Sequence, residues 1–276
     1  MFKILILLML LLFSVFGNAQ NLVIYHNTST QIQTESLVFD ALKPQLKEVQ
    51  LSEQKVSVSR AIQRLQQGEG HCIRDLVKNK QRSEVFIFSD PLHYLFNLQL
   101  FAMPDTAAQL KQNDANLVQL LADNNKLILG IDKERSYGDS LDQQIAQVDP
   151  EQLYIKEGRA VESQLYGMLQ SNRFDLLIEY PTVIDYFTKH NEKEVEKPLA
   201  LPLKGLPTLI SGRIACIDTP ATQAFIQQIN GTLATLKQSQ DYLTWHLAFI
   251  DKRLHKAFKQ ALAEAITFER VPQNKQ

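Results

Sequence analysis

Several kinds of chemistry are missing from this chain, and each shortage removes a class of protein. Cysteine occurs only at Cys72 and Cys216, so there is no C-x-x-C motif, and the residues leave open either one bridge or two separate thiols. No G-x-S-x-G, no H-E-x-x-H and no glycine-rich phosphate loop can be found. The six histidines show no metal-ligand spacing. Ser52-Glu53-Gln54-Lys55 matches S-x-x-K, but it stands in a polar connection without companion motifs. No pair of carboxylates stands out as general acid and base. A non-enzyme without metal or cofactor is therefore the expectation. Excess charge is missing too: 29 basic against 30 acidic side chains give a net charge of −1. A polyanion partner needs a basic face, so nucleic-acid binding is not expected. Ten glycines and ten prolines leave no room for a long low-complexity linker.

A long apolar run is present only at the start. Met1-Phe2-Lys3 supplies a positive end, Ile4 to Phe16 is nearly all Leu, Ile, Met, Val and Phe, and Gly17-Asn18-Ala19 offers small residues for a peptidase. This predicts a signal peptide over 1–19 and export to the periplasm. Its apolar stretch is about 13 residues, short of the roughly 20 needed to span a bilayer; an uncleaved anchor is the alternative. No cysteine follows that would carry a lipid. The remaining chain of about 257 residues suits one large domain or two lobes. Hydrophobic content of 45% is that of a globular protein. Export places both cysteines where pairing is chemically allowed.

Strand and helix signals alternate. Leu22-Val23-Ile24-Tyr25 reads as a buried strand ending in polar residues from His26 on. Val58, Ile62 and Leu65 mark an amphipathic helix stopping at Gly68, and His71 to Val77 the next strand. Leu127 to Ile131 and Leu176-Leu177-Ile178 read as strands around a helix carrying Val161, Leu165, Met168 and Leu169. Such alternation, run twice, predicts largely parallel sheets covered on both faces. Thr219-Pro220 opens a helix with Phe225, Ile226, Ile229, Leu233 and Leu236 on one face. A further helix carries Tyr242, Trp245, Phe249, Leu254, Phe258, Leu262 and Ile266, with Trp245 as a packing residue.

The segment Arg60 to Met103 (RAIQRLQQGEGHCIRDLVKNKQRSEVFIFSDPLHYLFNLQLFAM) resembles the first-lobe core of bacterial extracellular solute-binding proteins of family 3, the polar amino-acid binders of ABC importers. Leu127 to Gly138 (LILGIDKERSYG) is similar to the start of that family's second lobe. Met168 to Tyr186 (MLQSNRFDLLIEYPTVIDY) resembles its mL-x-x-g-R-x-D strand and following helix. Ile214-Ala215-Cys216 matches the returning strand. A proteobacterial subgroup with a Cys in both the Cys72 and Cys216 strands is the most similar. The resemblance implies an α/β, two-lobed type II periplasmic binding fold, with lobe 1 over 20–95 plus 212–276 and lobe 2 over 96–211. It places the Cys72 and Cys216 strands side by side and so favours a disulfide. Partners would be a small solute and an ABC permease or a membrane sensor, with the binding protein a monomer.

The resemblance also points to a site. Arg82 matches the family arginine that grips a ligand carboxylate, keeping the step to Phe88-Ser89; its planar fork suits a bidentate contact. Pairing with a surface acid is the alternative. Lys78 in the same loop adds charge to the site or is simply an exposed lysine. On the other lobe Ser136, with Tyr137, Gly138 and Asp139, reads as a helix start whose free N–H groups face the cleft and receive an anion, or as a plain cap. Lys133 and Arg135 strengthen the positive potential or are simply solvated. The family's usual ammonium-binding aspartate falls at Tyr180 here, with Glu179 adjacent. A tyrosine cannot neutralise an ammonium, so the ligand class departs from the family pattern. Tyr25 and His26 are candidate contacts at the end of the first strand.

Overall fold

The computed structural model describes residues 20–26, 33–47, 49–110, 116–133, 135–158, 160–190, 196–201 and 203–270. The predicted leader lies outside them. Among the described residues no helix is long and apolar enough to cross a membrane.

The chain builds two sheets, one per lobe. In the first, β1 (Gln20–His26) lies between β2 (Val49–Lys55) and β3 (Cys72–Val77), all parallel; β11 (Leu209–Cys216) then runs antiparallel to β3 and also pairs β4 (Ile87–Phe88) and β5 (His93–Phe96). In the second, β8 (Leu153–Lys156), β7 (Leu129–Asp132) and β9 (Leu176–Glu179) are parallel, β6 (Gln99–Ala102) runs antiparallel to β9, and β10 (Leu199–Leu201), antiparallel to β6, points the same way as β9. Each sheet is thus mostly parallel in strand direction, as expected, with one reversed strand: β11 in the first and β6 in the second. The strands that enter and leave the second lobe account for the antiparallel pairs. Ser52 to Lys55, expected in a polar connection, forms the end of edge strand β2, whose outward residues carry no apolar alternation.

The helices cover both sheets for readable reasons. The helix α1 (Gln33–Leu42) buries Val38, Phe39 and Leu42 against α9 (Pro220–Leu236), whose Phe225, Ile226, Ile229 and Leu233 form the expected apolar stripe. Thr219 caps α9 through a reciprocal exchange with Thr222, and Pro220 fits the first turn. In α2 (Val58–Gln66) Ala61 and Leu65 turn inward, Ser57 caps, and the chain leaves through Gly68 at φ 77°. The expected long C-terminal helix is two, α10 (Gln240–Leu247) and α11 (His255–Arg270). Between them Asp251 accepts a hydrogen bond from the Arg253 N–H, which starts a new turn. Trp245 packs against the first-lobe core as expected.

Two crossings join the lobes. The chain leaves at Phe96 and returns at Leu209, and Asn97 ties the crossings together. Its N–H donates to the Thr208 carbonyl (3.0 Å) and its Nδ2 to the Pro207 carbonyl (2.9 Å). Cys72 and Cys216 are directly opposed on β3 and β11 and form a disulfide with Cα atoms 4.0 Å apart.

Candidate functional site

The first lobe presents the end of β3 to the gap between the sheets. Asn79 caps the short helix α3 (Lys80–Ser83): its Oδ1 accepts from the Arg82 N–H at 2.8 Å, and its carbonyl accepts from Ser83 Oγ at 2.7 Å. That turn sends the Arg82 side chain back over the strand, where Nη1 donates to the Val77 carbonyl (2.8 Å). The guanidinium is half-buried. Desolvation lowers its pKa, while Asp142 and Tyr180 of the second lobe raise it. No described carboxylate forms an ion pair with it. Lys78 is exposed, with its ammonium 5.8 Å from the centre of the Phe88 ring.

The second lobe answers with the loop after β7 and the end of β9. Arg135 makes a fork to Glu179, with Nη1 to Oε2 at 2.6 Å and Nη2 to Oε1 at 2.8 Å. Its guanidinium carbon lies 5.2 Å from the Tyr137 ring centre and 4.9 Å from that of Tyr180. Glu179 Oε1 also accepts from the Tyr180 N–H at 2.7 Å. The carboxylate is thus committed within the lobe, and Arg135 is held well above the usual arginine range by that partner despite burial. Burial pushes the Tyr180 phenol up to about 12, so it stays a neutral hydroxyl.

Ser136 and the N–H groups beside it are not free. Asp142 reaches back from α6 (Asp139–Ile145): its Oδ2 accepts from Ser136 Oγ (2.6 Å) and its Oδ1 from the Tyr137 N–H (2.7 Å). The Gly138 N–H donates to Ser136 Oγ at 3.2 Å. The expected anion cradle is therefore filled by the protein's own carboxylate.

The two walls touch. Asn79 Nδ2 donates to Ser136 Oγ (3.1 Å), and the Lys80 N–H donates to both carboxylate oxygens of Asp139 (3.2 Å each). Arg82, Ser136, Tyr137, Glu179 and Tyr180 thus lie where the two walls meet, whereas the described contact of Lys78 is with Phe88 of its own lobe. Tyr25 does not reach the cleft: the ring is 1% exposed beneath Gly70, and its hydroxyl donates to the Glu69 carbonyl at 2.7 Å. His26, at the end of β1, neighbours Arg74 and Glu53 instead; burial first and then Arg74 lower its pKa.

Two cleft residues escaped the sequence reading. Asn79 and Asp142 gave no signal, because a polar residue near a helix start is commonplace.

Comparison with known proteins adds the fold. No family model and no curated protein matches the chain. Among solved structures, a putative L-cystine ABC transporter protein of Listeria monocytogenes superposes with a TM-score of 0.65 at 13% identity, covering 85% of this chain and 97% of that one. An amino-acid ABC transporter substrate-binding protein of Streptococcus pneumoniae, bound to L-arginine, gives 0.62 at 18% identity over 84% and 97%. A histidine kinase sensor domain similar to periplasmic binding proteins gives 0.66 at 11% over 84% and 97%. The chain shares the two-lobed periplasmic binding fold of these proteins.

Proposed function

We propose that this chain is an exported solute-binding protein that closes its lobes around a small carboxylate-bearing solute and delivers it to an ABC-type permease. Residues 1–19 direct export to the periplasm; lobe 1 comprises 20–95 and 212–276, and lobe 2 comprises 96–211. The observation that carries the reading is Arg82: a half-buried guanidinium in the cleft, fixed by one bond to the Val77 carbonyl, with no described carboxylate paired to it. A buried cation of this kind is stabilised by an arriving anion, and its fork matches a carboxylate. Lobe closure then results from the ligand's better fit to the closed form. The protein acts as a monomer with neither metal nor catalytic group.

Sensing is the second reading, supported by the shared fold of a histidine kinase sensor domain. The two differ in the partner that receives the closed form: a neighbouring permease and ATPase gene pair supports transport, a membrane kinase or cyclase supports sensing.

The test is a thermal-shift screen against amino acids, organic acids, short peptides and sugars, with titration of the hits. Arg82→Ala is expected to weaken a carboxylate hit by about 10- to 100-fold, the loss of a charged hydrogen-bonded contact. Unchanged affinity in that variant overturns the anchor.

A further inference from the structure

Where the two walls meet, the acid of the second lobe nearest the hinge is already in use. Glu179 ends β9 in register with Gln99, two residues beyond Asn97, which ties the two crossings. Its carboxylate takes three donors: Arg135 Nη1 on Oε2 (2.6 Å), Arg135 Nη2 on Oε1 (2.8 Å) and the Tyr180 N–H on Oε1 (2.7 Å). The Glu179 side chain keeps 4% of its surface exposed and that of Arg135 15%. The rings of Tyr137 and Tyr180 lie against the guanidinium. A planar fork on both oxygens of a carboxylate is a strong and geometrically specific pairing. Arg135 also stands one residue before Ser136, whose hydroxyl receives Asn79 of the first lobe, so the ion pair sits at the junction of the lobes.

The neighbouring acids are spent as well. Asp142 accepts from Ser136 Oγ and the Tyr137 N–H, and Asp139 takes the Lys80 N–H on both oxygens. Asp75 of β3 has its Oδ1 2.7 Å from Nε2 of His93, a fully buried ring of the first lobe. Glu162, at the start of the helix Val161–Gln170, is pushed toward its uncharged form by burial first and by Glu179 next. The cations differ. Arg82 makes one described bond, to the Val77 carbonyl, and pairs with no described carboxylate. The junction therefore offers a solute a free cation, while Arg135 closes the acid that would receive one.

We propose that Arg135 is a selectivity residue: by occupying Glu179 it bars ammonium and other cationic groups from the second-lobe wall, and so restricts the solute to acids whose body carries no cation. This deepens, and rests on, the carboxylate reading of Arg82. An amine brought to Glu179 would have to displace a two-point arginine with a single-point ammonium, leaving a buried guanidinium without its acid. Short of Glu179 it meets Arg135 itself, a like charge where lobe closure removes water. A hydroxyl or an apolar group meets neither penalty, because burial keeps the Tyr137 and Tyr180 phenols neutral. Selectivity of this kind comes from repelling the wrong solute and needs no added contact to the right one.

The experiment pairs each acid with its amine-bearing counterpart: L-lactate with L-alanine, succinate with L-aspartate, and 3-phenylpropionate with L-phenylalanine. All are titrated calorimetrically into the mature wild-type protein, Arg135→Met, Arg135→Met combined with Glu179→Gln, and Arg82→Ala. In wild type the amine-free member of every pair that binds should be the tighter by 10-fold or more. In Arg135→Met, which opens Glu179, the amine-bearing member should gain 10-fold or more on its partner, and the added Glu179→Gln should cancel that gain. A ratio within one variant is unmoved by a general loss of affinity, and the wild-type ratio alone tests the proposal if Arg135→Met does not fold. A wild-type preference below 10-fold, or a reversed one, overturns the proposal, as does an unchanged ratio in folded Arg135→Met or a gain that survives Glu179→Gln. If Arg82→Ala leaves the amine-free acids untouched while the Arg135 results hold, the Arg82 anchor falls and the role of Arg135 stands. If Arg82→Ala weakens them but the wild-type preference is missing, the anchor stands and the role of Arg135 falls. Binding of no acid of either kind overturns both.

Discussion

His246 shows how a buried ring can fix both its tautomer and its charge. It is 1% exposed, Nδ1 lies 2.7 Å from the Tyr242 carbonyl, and Nε2 accepts the Tyr94 N–H at 3.1 Å. The carbonyl requires a proton on Nδ1 and the N–H requires a lone pair on Nε2, so the neutral ring fits and the cation does not. Burial accordingly pushes its pKa down to about 3. A lowered folded value means that the unfolded chain binds the extra proton first. The contribution to stability is full above about 6.5 and is lost as pH falls from there toward 3. His93 has the opposite sign: its raised value gives stability that is present at low pH and lost as pH rises. His246→Leu should cost about 2–4 kcal/mol by stranding two backbone groups. Urea midpoints measured from pH 7 to pH 4 should converge for wild type and variant toward the acid end. A constant gap would show that the ring does not titrate on unfolding. Sequence alone cannot assign such a residue, since the Tyr94 partner is 152 positions away. Arg82 could be put forward from sequence because its step to Phe88-Ser89 is local, and its role as an anchor is what the Arg82→Ala titration decides. Tyr25 misled, because the end of a strand reads the same whether its last ring faces the cleft or folds under Gly70.

At the scale of elements, the β3–β11 pair carries the largest local constraint. Both sulfurs are fully buried and join residues 144 apart in sequence. In the chain-entropy account, closing a loop of that length in the unfolded chain stabilises the fold by about 5 kcal/mol. The double variant Cys72→Ala with Cys216→Ala should therefore unfold at a clearly lower denaturant concentration than the oxidised protein. Thiol titration of the denatured, unreduced protein should find no free sulfhydryl; two would refute the bridge. Elements with a one-sided apolar face, such as α2 and α9, could be read directly from spacing. The edge strand β2 could not, because solvent on its outer side removes the alternation that marks a strand. Nor could the break between α10 and α11: the apolar stripe continues through it, and only the Asp251 cap interrupts the backbone. The one reversed strand of each sheet, β11 and β6, was hidden for the same kind of reason, since its direction is set by the two crossings between lobes and not by any local pattern.

For the whole molecule, the equilibrium between open and closed lobes depends on bonds that need no ligand. Asp139 of the second lobe accepts the Lys80 N–H of the first, capping α3 from across the gap, and Asn79 donates to Ser136. A cap of this kind is worth about 0.5–2 kcal/mol, and it exists only when the lobes are shut. Removing it with Asp139→Ala, or with Asn79→Ala, should shift the lobes toward the open form by about 2- to 30-fold. A solute that selects the closed form would then bind more weakly by up to that factor, because the closed fraction multiplies its apparent affinity. Small-angle scattering of ligand-free protein should record a larger radius of gyration for Asp139→Ala than for wild type, while the melting temperature changes little. Superimposable scattering curves would mean that these contacts form without influencing closure. The distinction matters for either proposed role: a latch that biases the lobes shut in the absence of solute lowers the contrast between empty and loaded states, and that contrast is what a permease or a membrane sensor must read.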